Sequence, residues 1–365
     1  MSSGSAILVA VASCALSFTV ARLVREVALR RQLVDRPNER SAHVRPTPRL
    51  GGIGIMCAFL PIAALVVFAT GGGLRAAVTV AATAVISALG LVDDLKPLRA
   101  RWRFGVQLVC AVAVVFVNRD GVAGAWTLLP VPISVLLPAS VLWIVWVTNL
   151  YNFMDGIDGL AAGQAVVAGA AVAAVAAGAG AAMQVGLAVA LVGASFGFLL
   201  LNFPPASIFM GDVGSTAIGF FLASVPFLPG TSTVSVEVVG LAIGLFVLDA
   251  TTTLVRRLSR GERFFEAHRT HVYQRPLALG VPHRMITLAA YPGMAAVAAF
   301  AVAYPHAHSI ARVALVFAAV GVFVGYAGLV TLLERRAAVD DFSGGPADPE
   351  ADRAEPVPAR TKHVG

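Results

Sequence analysis

Charged side chains are scarce in this 365-residue chain: they make up 13% of it, while 58% of the residues are hydrophobic and the mean hydropathy is +0.82. This composition excludes a water-soluble globular protein and indicates a polytopic helical membrane protein. Lysine is nearly absent, since Lys96 and Lys362 are the only two, so the net charge of +7 rests on arginine. In a membrane protein such a balance reports topology, and we predict no nucleic-acid binding.

Cysteine is also rare. The three cysteines, Cys14, Cys57 and Cys110, all lie in apolar runs and share no metal-binding spacing. This distribution excludes a disulfide framework and a cysteine-based metal site. A cleavable signal peptide is not predicted, because the first basic residue, Arg22, follows the first apolar run. This order predicts an anchor helix with its N-terminus outside.

Long apolar runs fill most of the chain, and runs of about 17–25 residues predict membrane-spanning helices. The sequence contains about eleven of them, so we predict an all-α polytopic membrane protein. They cover residues 5–27, 50–70, 74–92, 103–118, 131–148, 159–178, 182–201, 213–229, 235–255, 285–304 and 308–333. Residues 1–336 are expected to form one membrane-embedded domain. The charged, proline-rich segment 337–365 is expected to be a disordered cytoplasmic tail.

Arginine is concentrated in alternate loops. The segments 28–49, 93–103 and 256–284 are basic, whereas the loops at 70–73, 118–130, 229–233 and 304–308 are nearly uncharged. The positive-inside rule therefore assigns the basic segments to the cytoplasm, together with 149–158 and 202–212. A site formed by these segments would face the cytoplasm.

Acidic residues interrupt the apolar runs at four places. A carboxylate at bilayer depth costs about 2.5–3.5 kcal/mol, so such residues are expected to be functional. Asn149, Asn152, Asp155 and Asp158 follow one another at intervals of three. This spacing places the four side chains on one helical face if that stretch is helical. Carboxylate and amide oxygens are ligands that Mg²⁺ accepts. The acidic residues are Asp93 and Asp94, Asp155 and Asp158, Asp212, and Asp249, which lies near Arg256-Arg257 and could pair with them.

Each acidic motif also has a structural explanation, which the residues alone leave open. A carboxylate before a helix, such as Asp158 or Asp212, can be an N-cap. The pair Asp93-Asp94 can be a solvated helix end. Phe209, which could stack on a nucleobase, can be an ordinary interfacial aromatic.

Basic residues supply candidate phosphate ligands. His268, Arg269 and His271 cluster in the one long polar loop, and guanidinium and imidazole groups are natural partners of phosphate oxygens. An ordinary basic loop on the inner side is the alternative. Gly51-Gly52 could let the backbone approach a phosphate. Together with the carboxylates, these residues favour transfer of a phosphorylated group from a soluble nucleotide donor to a membrane-held acceptor.

The ordered motifs resemble those of the polyprenyl-phosphate N-acetylhexosamine-1-phosphate transferases, glycosyltransferase family 4. They read "DDLK", "TNLYNFMDGIDGLAAGQ", "NFPPASIFMGDVGS" and "LDATTTLVRRLSRGERFFEAHRTHVYQR", and they span about residues 35–285. The segment His268-Arg269-Thr270-His271 departs from the consecutive histidines of many members. It looks more like the branch that handles deoxy-N-acetylhexosamines such as FucNAc or QuiNAc in O-antigen or exopolysaccharide synthesis.

The resemblance implies a reaction in which a UDP-N-acetylhexosamine and undecaprenyl phosphate, or a similar polyprenyl phosphate, give a lipid-linked sugar and UMP. It also implies a multi-pass protein of the bacterial inner membrane, bound Mg²⁺ or Mn²⁺, and a homodimer as one assembly. The catalytic residues would be Asp93 and its electrostatic partner Asp94, and the metal ligands Asn152 and Asp212. The nucleotide would contact Asp155, Asp158 and Phe209, and the phosphate or sugar would contact Arg103, His268, Arg269 and His271.

An ion-coupled transporter of an anionic metabolite is the main alternative, because intramembrane carboxylates and basic loops suit it too. Transporter sites usually lie near the bilayer midplane, between structural repeats. Here the polar motifs collect at one predicted face, and the sequence shows no repeat, which favours the transferase.

Overall fold

The computed structural model of the protein describes residues 1–35, 46–128, 131–230, 232–262 and 270–343. Within them the chain forms thirteen α-helices and one pair of two-residue strands, β1 (Val34–Asp35) and β2 (Thr47–Pro48), which pair antiparallel. Short 3₁₀ helices occupy Val225–Phe227, Val272–Leu279 and Tyr304–His306. The α-helices are α1 (Ser3–Arg30), α2 (Gly52–Ala69), α3 (Gly73–Leu95), α4 (Ala100–Val117), α5 (Arg119–Ala125), α6 (Ile133–Phe153), α7 (Leu160–Gly178), α8 (Ala182–Asn202), α9 (Asp212–Ser224), α10 (Val236–Ala242), α11 (Gly244–Ser259), α12 (His283–Ala303) and α13 (Ser309–Ser343).

Nine helices of the described ranges are long and apolar enough to cross a membrane: α1 to α4, α6 to α8, α12 and α13. A tenth span results if α10 and α11, which meet at 86°, are counted as one. The all-α polytopic class is therefore confirmed, with a span count slightly below the predicted eleven. Two predicted runs account for the difference. The run 213–229 contains only the thirteen-residue α9, which ends two residues before Pro226, a residue that cannot donate a helical hydrogen bond. The run 235–255 is broken between α10 and α11.

The last helix passes the predicted boundary of the membrane domain. The sequence places the start of the tail at residue 337, but α13 ends at Ser343, so residues 337–343 are helical. Residues 344–365 lie outside the described part of the chain, and the disorder of the tail stays a prediction.

The core of the bundle lies around α7, α8 and α9. Every residue of α9 from Val213 to Ser224 is buried, whereas Ile7 and Leu8 of the peripheral α1 are 65% and 70% exposed, as expected for lipid-facing side chains. Glycine lets α1 approach α8. A Cβ at Gly193 or Gly197 would lie only 2.3 or 2.2 Å from a carbonyl oxygen of α1. Small residues of this kind allow membrane helices to pack closely.

A second close approach brings α3 against the start of α9. A Cβ at Gly90 of α3 would lie 2.3 Å from the carbonyl oxygen of Asp212. Because the glycine leaves this space open, the end of α3, with Asp93 and Asp94, meets the beginning of α9. Three carboxylates from two distant sequence motifs thus become neighbours.

The polar segments meet at one end of the bundle. Hydrogen bonds join residues 46–52 to 209–210, the end of α3 to the start of α9, and the loop 154–159 to the loop 203–211. At the opposite end, Arg75 pairs with Asp120, and Thr127 donates to Glu237. The segments predicted to share a face are therefore together, and the assignment of that face to the cytoplasm stays a prediction.

Candidate active site

A cavity of about 780 Å³ lies between α3, α4, α6, α9 and α11. Its polar lining residues include Asp93, Arg103, Asn149, Asn152, Asp212 and His271. Its apolar lining residues include Phe104, Leu142, Trp146 and Leu254. Such a lining can hold a ligand that has both a charged group and an apolar body.

Arg103 of α4 joins the carboxylates of Asp93 and Asp212. Its Nη1 lies 2.6 Å from Asp93 Oδ2 and 3.3 Å from Asp212 Oδ2. The amide of Leu98 donates to the other oxygen of Asp93 at 2.6 Å, because the chain turns back from α3 into α4. The Asp93 side chain is only 10% exposed. The alternative that Asp93 is only a solvated residue at a helix end is therefore wrong.

Asp94 points away from this group and toward the N-terminus of α9. Its Oδ1 and Oδ2 accept the amides of Asp212 and Val213, each at 2.9 Å. A Cβ at Gly211, which has φ +74°, would lie 2.6 Å from Asp94 Oδ2. The first amides of a helix have no acceptors within that helix, and the Asp94 carboxylate provides acceptors from another helix. The alternative that Asp212 caps its own helix is therefore wrong, and the electrostatic role of Asp94 in catalysis stays a prediction.

Asn152 lies near the end of α6, in contact with α9. Its Oδ1 accepts a hydrogen bond from Ser215 Oγ at 2.9 Å. Asn149, one turn earlier, donates to Gln107 Oε1 at 2.7 Å. The interval of three thus predicts a shared helical face correctly for these two residues. It fails for Asp155 and Asp158, because α6 ends at Phe153.

The oxygen atoms of Asn152 and Asp212 fit a magnesium ion. No group of three or more His, Cys, Asp or Glu side chains that could hold a metal occurs in the described ranges. Mg²⁺ does not require such a group, since it usually takes one or two carboxylates and completes its shell with water and substrate phosphates. Asn152 Oδ1 and the Asp212 carboxylate, which line one cavity, supply this limited donor set.

Asp155 lies in the loop 154–159 among other carboxylates. Burial, and after it the charges of Asp212, Asp94 and Asp158, raise the pKa of Asp155 well above its usual range. The ionised form of Asp155 therefore needs a compensating positive charge or hydrogen-bond donors. The residues lining the cavity do not include Asp155, so its predicted contact with a nucleotide stays a prediction.

Asp158 is bonded to two other segments of the protein. Its Oδ1 lies 3.1 Å from Nδ1 of His283, and its Oδ2 accepts the amide of Ala206 at 2.9 Å. The alternative that Asp158 is the N-cap of α7 is wrong, because Gly159 occupies that position. The predicted nucleotide contact of Asp158 stays a prediction.

Phe209 is fixed through its backbone to residues 48–51. Its amide donates to the Pro48 carbonyl, and its carbonyl accepts the Gly51 amide, each at 2.8 Å. The amide of Gly52 donates to the carbonyl of Met210 at 2.8 Å. The prediction that Gly51-Gly52 approach a phosphate is therefore wrong, since both amides bind carbonyls. Stacking of Phe209 on a base stays a prediction.

His271 reaches the cavity next to buried Asp249. Asp249 Oδ1 lies 3.3 Å from His271 Nδ1, and the Asp249 carboxylate accepts the amides of Val272 and Tyr273 at 3.0 and 2.9 Å. Asp249 thus holds the start of the 3₁₀ helix Val272–Leu279. The predicted pairing of Asp249 with Arg256-Arg257 is wrong. His268 and Arg269 lie outside the described residues.

Comparison with known proteins agrees with this arrangement. The model of the family described as "Glycosyl transferase family 4" matches residues 76–228, which include Asp93, Asn152 and Asp212. A Bacillus subtilis (strain 168) protein described as a probable undecaprenyl-phosphate N-acetylglucosaminyl 1-phosphate transferase is 30% identical over 283 residues, 74% of this chain and 76% of that protein. The chain belongs to glycosyl transferase family 4.

Two further relatives of this family 4 protein extend the similarity. The decaprenyl-phosphate N-acetylglucosaminephosphotransferase of Mycobacterium tuberculosis (strain ATCC 25618 / H37Rv) is 32% identical over 372 residues, 90% of this chain and 88% of that protein. The phospho-N-acetylmuramoyl-pentapeptide-transferase of Geobacillus thermodenitrificans (strain NG80-2) is 32% identical over 252 residues, 62% and 74% of the two chains. The predicted family and the membrane transferase class are confirmed.

Two residues of the family 4 protein join the site although the sequence analysis does not single them out. Tyr273 donates its hydroxyl to the carbonyl of Phe153 at 2.9 Å, at the end of the helix that carries Asn152. His283 contacts Asp158. In the sequence, Tyr273 lies two residues after His271, and His283 lies at the start of a helix. Neither position indicates which residue the side chain contacts.

Proposed function

We propose that this family 4 transferase moves N-acetylhexosamine 1-phosphate from a UDP-sugar to a polyprenyl phosphate, with release of UMP. Its relatives are named for undecaprenyl or decaprenyl phosphate as acceptor. N-acetylglucosamine is the sugar that we propose first, because it occurs in both of these names. The product would be the lipid-linked sugar of the first membrane step of cell-surface polysaccharide synthesis. The O-antigen branch stays a prediction.

One observation carries the proposal: charged and apolar side chains line one cavity between membrane helices. The side chains of Phe104, Leu142 and Trp146 suit the chain of a polyprenyl lipid. The group formed by Asp93, Arg103 and Asp212 suits the phosphate at the end of that chain. A soluble metabolite carried by a transporter would have no use for these apolar lining residues.

The reaction would form a bond between a lipid phosphate oxygen and the β-phosphorus of the donor. The bond between this phosphorus and the oxygen bridging to the α-phosphorus would break, and UMP would leave with that oxygen. Asp93 would accept a proton that remains on the lipid phosphate, because it lines the cavity, unlike Asp94, while Asp212 is assigned to the metal. We propose direct attack by the lipid phosphate, without a covalent aspartyl intermediate.

Arg103 would orient the phosphates. A guanidinium carries five N–H donors in a planar fork, so it can bind a phosphate oxygen while it keeps a carboxylate partner. Asn152 and Asp212 would hold Mg²⁺, and Mn²⁺ is the alternative ion. When bound there, the metal supplies charge neutralisation for the donor diphosphate.

A transfer assay tests the proposal. Membranes that contain the protein would receive undecaprenyl or decaprenyl phosphate, Mg²⁺ and one of five labelled UDP-sugars: GlcNAc, GalNAc, QuiNAc, FucNAc or MurNAc-pentapeptide. We expect one lipid-linked product, stoichiometric UMP, and loss of both on addition of EDTA. Asp93→Asn and Asp212→Ala should abolish transfer, whereas Asp120→Asn, at the opposite end of the bundle, should not.

Two outcomes would contradict the function. Normal turnover by Asp93→Asn or Asp212→Ala would contradict the assignment of the active site to these residues. Uptake of intact labelled donor into sealed vesicles, without a lipid product, would favour the transporter.

A further inference from the structure

The contact between His283 and Asp158 joins parts of the chain that are far apart in sequence. His283 is the first residue of α12, and its Nδ1 lies 3.1 Å from Asp158 Oδ1 and 3.4 Å from the Asp158 amide nitrogen. The two side chains are only 15% and 12% exposed. A polar contact with so little solvent around it is costly to break, because each group would lose its partner without gaining water.

The other oxygen of Asp158 holds the loop that precedes α9. Asp158 Oδ2 accepts the amide of Ala206 at 2.9 Å. Three residues further along, this loop carries Phe209, and it ends at Asp212. The position of both residues therefore depends on where Asp158 is held.

One face of α12 holds the turn at residues 158–159. Thr287 Oγ1 donates to the carbonyl of Asp158 at 2.7 Å, and the hydroxyl of Tyr291 donates to the carbonyl of Gly159 at 2.9 Å. His283, Thr287 and Tyr291 follow one another at intervals of four, the interval that aligns side chains along a helix. Of the three, only His283 contacts the Asp158 side chain in these bonds.

These residues do not line the cavity between α3, α4, α6, α9 and α11. The apolar lining residues that suit a lipid acceptor, Phe104, Leu142, Trp146 and Leu254, belong to α4, α6 and α11. Asp158, His283 and Ala206 are attached instead to the loops that lead to Phe209. An effect of His283 on turnover would therefore act through these loops and on the soluble donor.

We propose that His283 is a positioning residue for the nucleoside diphosphate sugar. It holds Asp158 in place, and the Asp158 carboxylate in turn holds the loop 203–211. This inference rests on the proposed transferase function, and it adds a residue that acts through Asp158 without touching the reacting atoms.

The imidazole geometry provides a matched pair of substitutions. One ring nitrogen cannot donate to Asp158 Oδ1 and accept from the Asp158 amide at the same time. In the structure the Asp158 amide donates to Nδ1, which also lies 3.1 Å from Asp158 Oδ1. The side-chain amide of asparagine occupies about the position of Nδ1, whereas that of glutamine reaches about the position of Nε2. His283→Asn should therefore keep the contact, and His283→Gln and His283→Ala should lose it.

The experiment measures kcat and both KM values for the wild type and these three variants, with His308→Ala as control. His308 is a histidine near the start of α13, and its Nδ1 accepts the Ala311 amide at 3.4 Å. We expect His283→Ala and His283→Gln to raise the KM for the UDP-sugar by about tenfold, the effect of one hydrogen bond. The KM for the polyprenyl phosphate should not change. His283→Asn and His308→Ala should resemble the wild type.

A second readout separates this inference from the transferase function. Binding of the UDP-sugar should raise the melting temperature of the purified wild type and of His283→Asn more than that of His283→Ala, whether or not transfer occurs. Equal rises in all three proteins, or equal changes in both KM values, would overturn the positioning role. A wild type that binds the UDP-sugar but makes no lipid product would contradict the transferase function alone.

Discussion

The carboxylate of Asp94 accepts the amides of Asp212 and Val213, so one helix of the site caps another. Asp93, the preceding residue, faces the cavity and Arg103 instead. Successive residues of an α-helix differ in direction by about 100°, which accounts for the two separate environments. Adjacent aspartates in "VDDL" therefore have distinct tasks: Asp94 fixes the place of Asp212, and Asp93 is available to a ligand.

Substitution of Asp94 should cost stability as well as activity. Asp94→Ala leaves two partly buried amides without acceptors, and we expect a loss of about 1–3 kcal/mol in the free energy of unfolding. Asp93→Asn keeps one acceptor oxygen and the size of the side chain, so its melting temperature should stay close to that of the wild type while transfer is lost. Thermal unfolding of the purified variants, measured beside transfer, separates the two roles. Equal melting temperatures for both variants would contradict this division.

The sequence predicts the helices and the meeting of polar segments well, because hydropathy and arginine distribution are local properties. It also identifies Asp93, Asn152 and Asp212, whose carboxylate and amide groups are conspicuous in apolar surroundings. It cannot identify the partner of Asp94, since that contact depends on the space left by Gly90 between α3 and α9. The same limit applies to His283, whose partner is 125 residues away.

Replacement of Arg103 tests the link between the two cavity carboxylates. Without this guanidinium, Asp93 and Asp212 would repel each other and a phosphate would lose its donor. We expect Arg103→Ala to lower kcat on the order of 10²-fold, as loss of one transition-state donor does in other enzymes. Arg103→Lys should recover only part of this, because an ammonium lacks the planar fork.

Arg75→Ala is the control for Arg103, since Arg75 also pairs with an aspartate, Asp120, but at the opposite end of the bundle. Its transfer rate should match that of the wild type. A wild-type rate for Arg103→Ala would remove Arg103 from the site.

Asp155 should make stability depend on pH. Its raised pKa means that the folded protein retains a proton that the unfolded chain, with an ordinary carboxyl pKa of about 3.9, has already released. Stability should therefore be greatest at low pH as far as this group is concerned, and should fall as pH rises through the folded-state pKa. Asp155→Asn should flatten this fall, and added Mg²⁺ should oppose it. Melting temperatures between pH 5 and 8 in EDTA would check the sign; a steeper fall in the variant would be inconsistent with it.

Metal dependence should respond to Asn152. Removal of its side-chain oxygen by Asn152→Ala should raise the Mg²⁺ concentration needed for half-maximal transfer. Ser215→Ala should do so by less, because Ser215 only donates to that oxygen. Mg²⁺ titrations of the transfer rate measure both effects. Asn149→Ala is the control, since Asn149 lines the same cavity but is bonded to Gln107. A larger shift for Asn149→Ala than for Asn152→Ala would reassign the ligand.

The last prediction concerns Tyr273, which connects the His271 segment to the end of α6. Its hydroxyl donates to the Phe153 carbonyl, and its amide donates to Asp249 of α11. Tyr273 therefore links α11 to the end of α6, the helix that carries Asn152. Tyr273→Phe removes one buried hydrogen bond, which should cost about 0.5–1.5 kcal/mol of stability. Tyr304→Phe removes a hydroxyl contact with Thr127 at the other end of the bundle, and should cost a similar amount. Only Tyr273→Phe should also lower the transfer rate, because only that contact supports the helix carrying Asn152. Equal transfer rates for the two variants at equal stability would show that Tyr273 has a purely structural part.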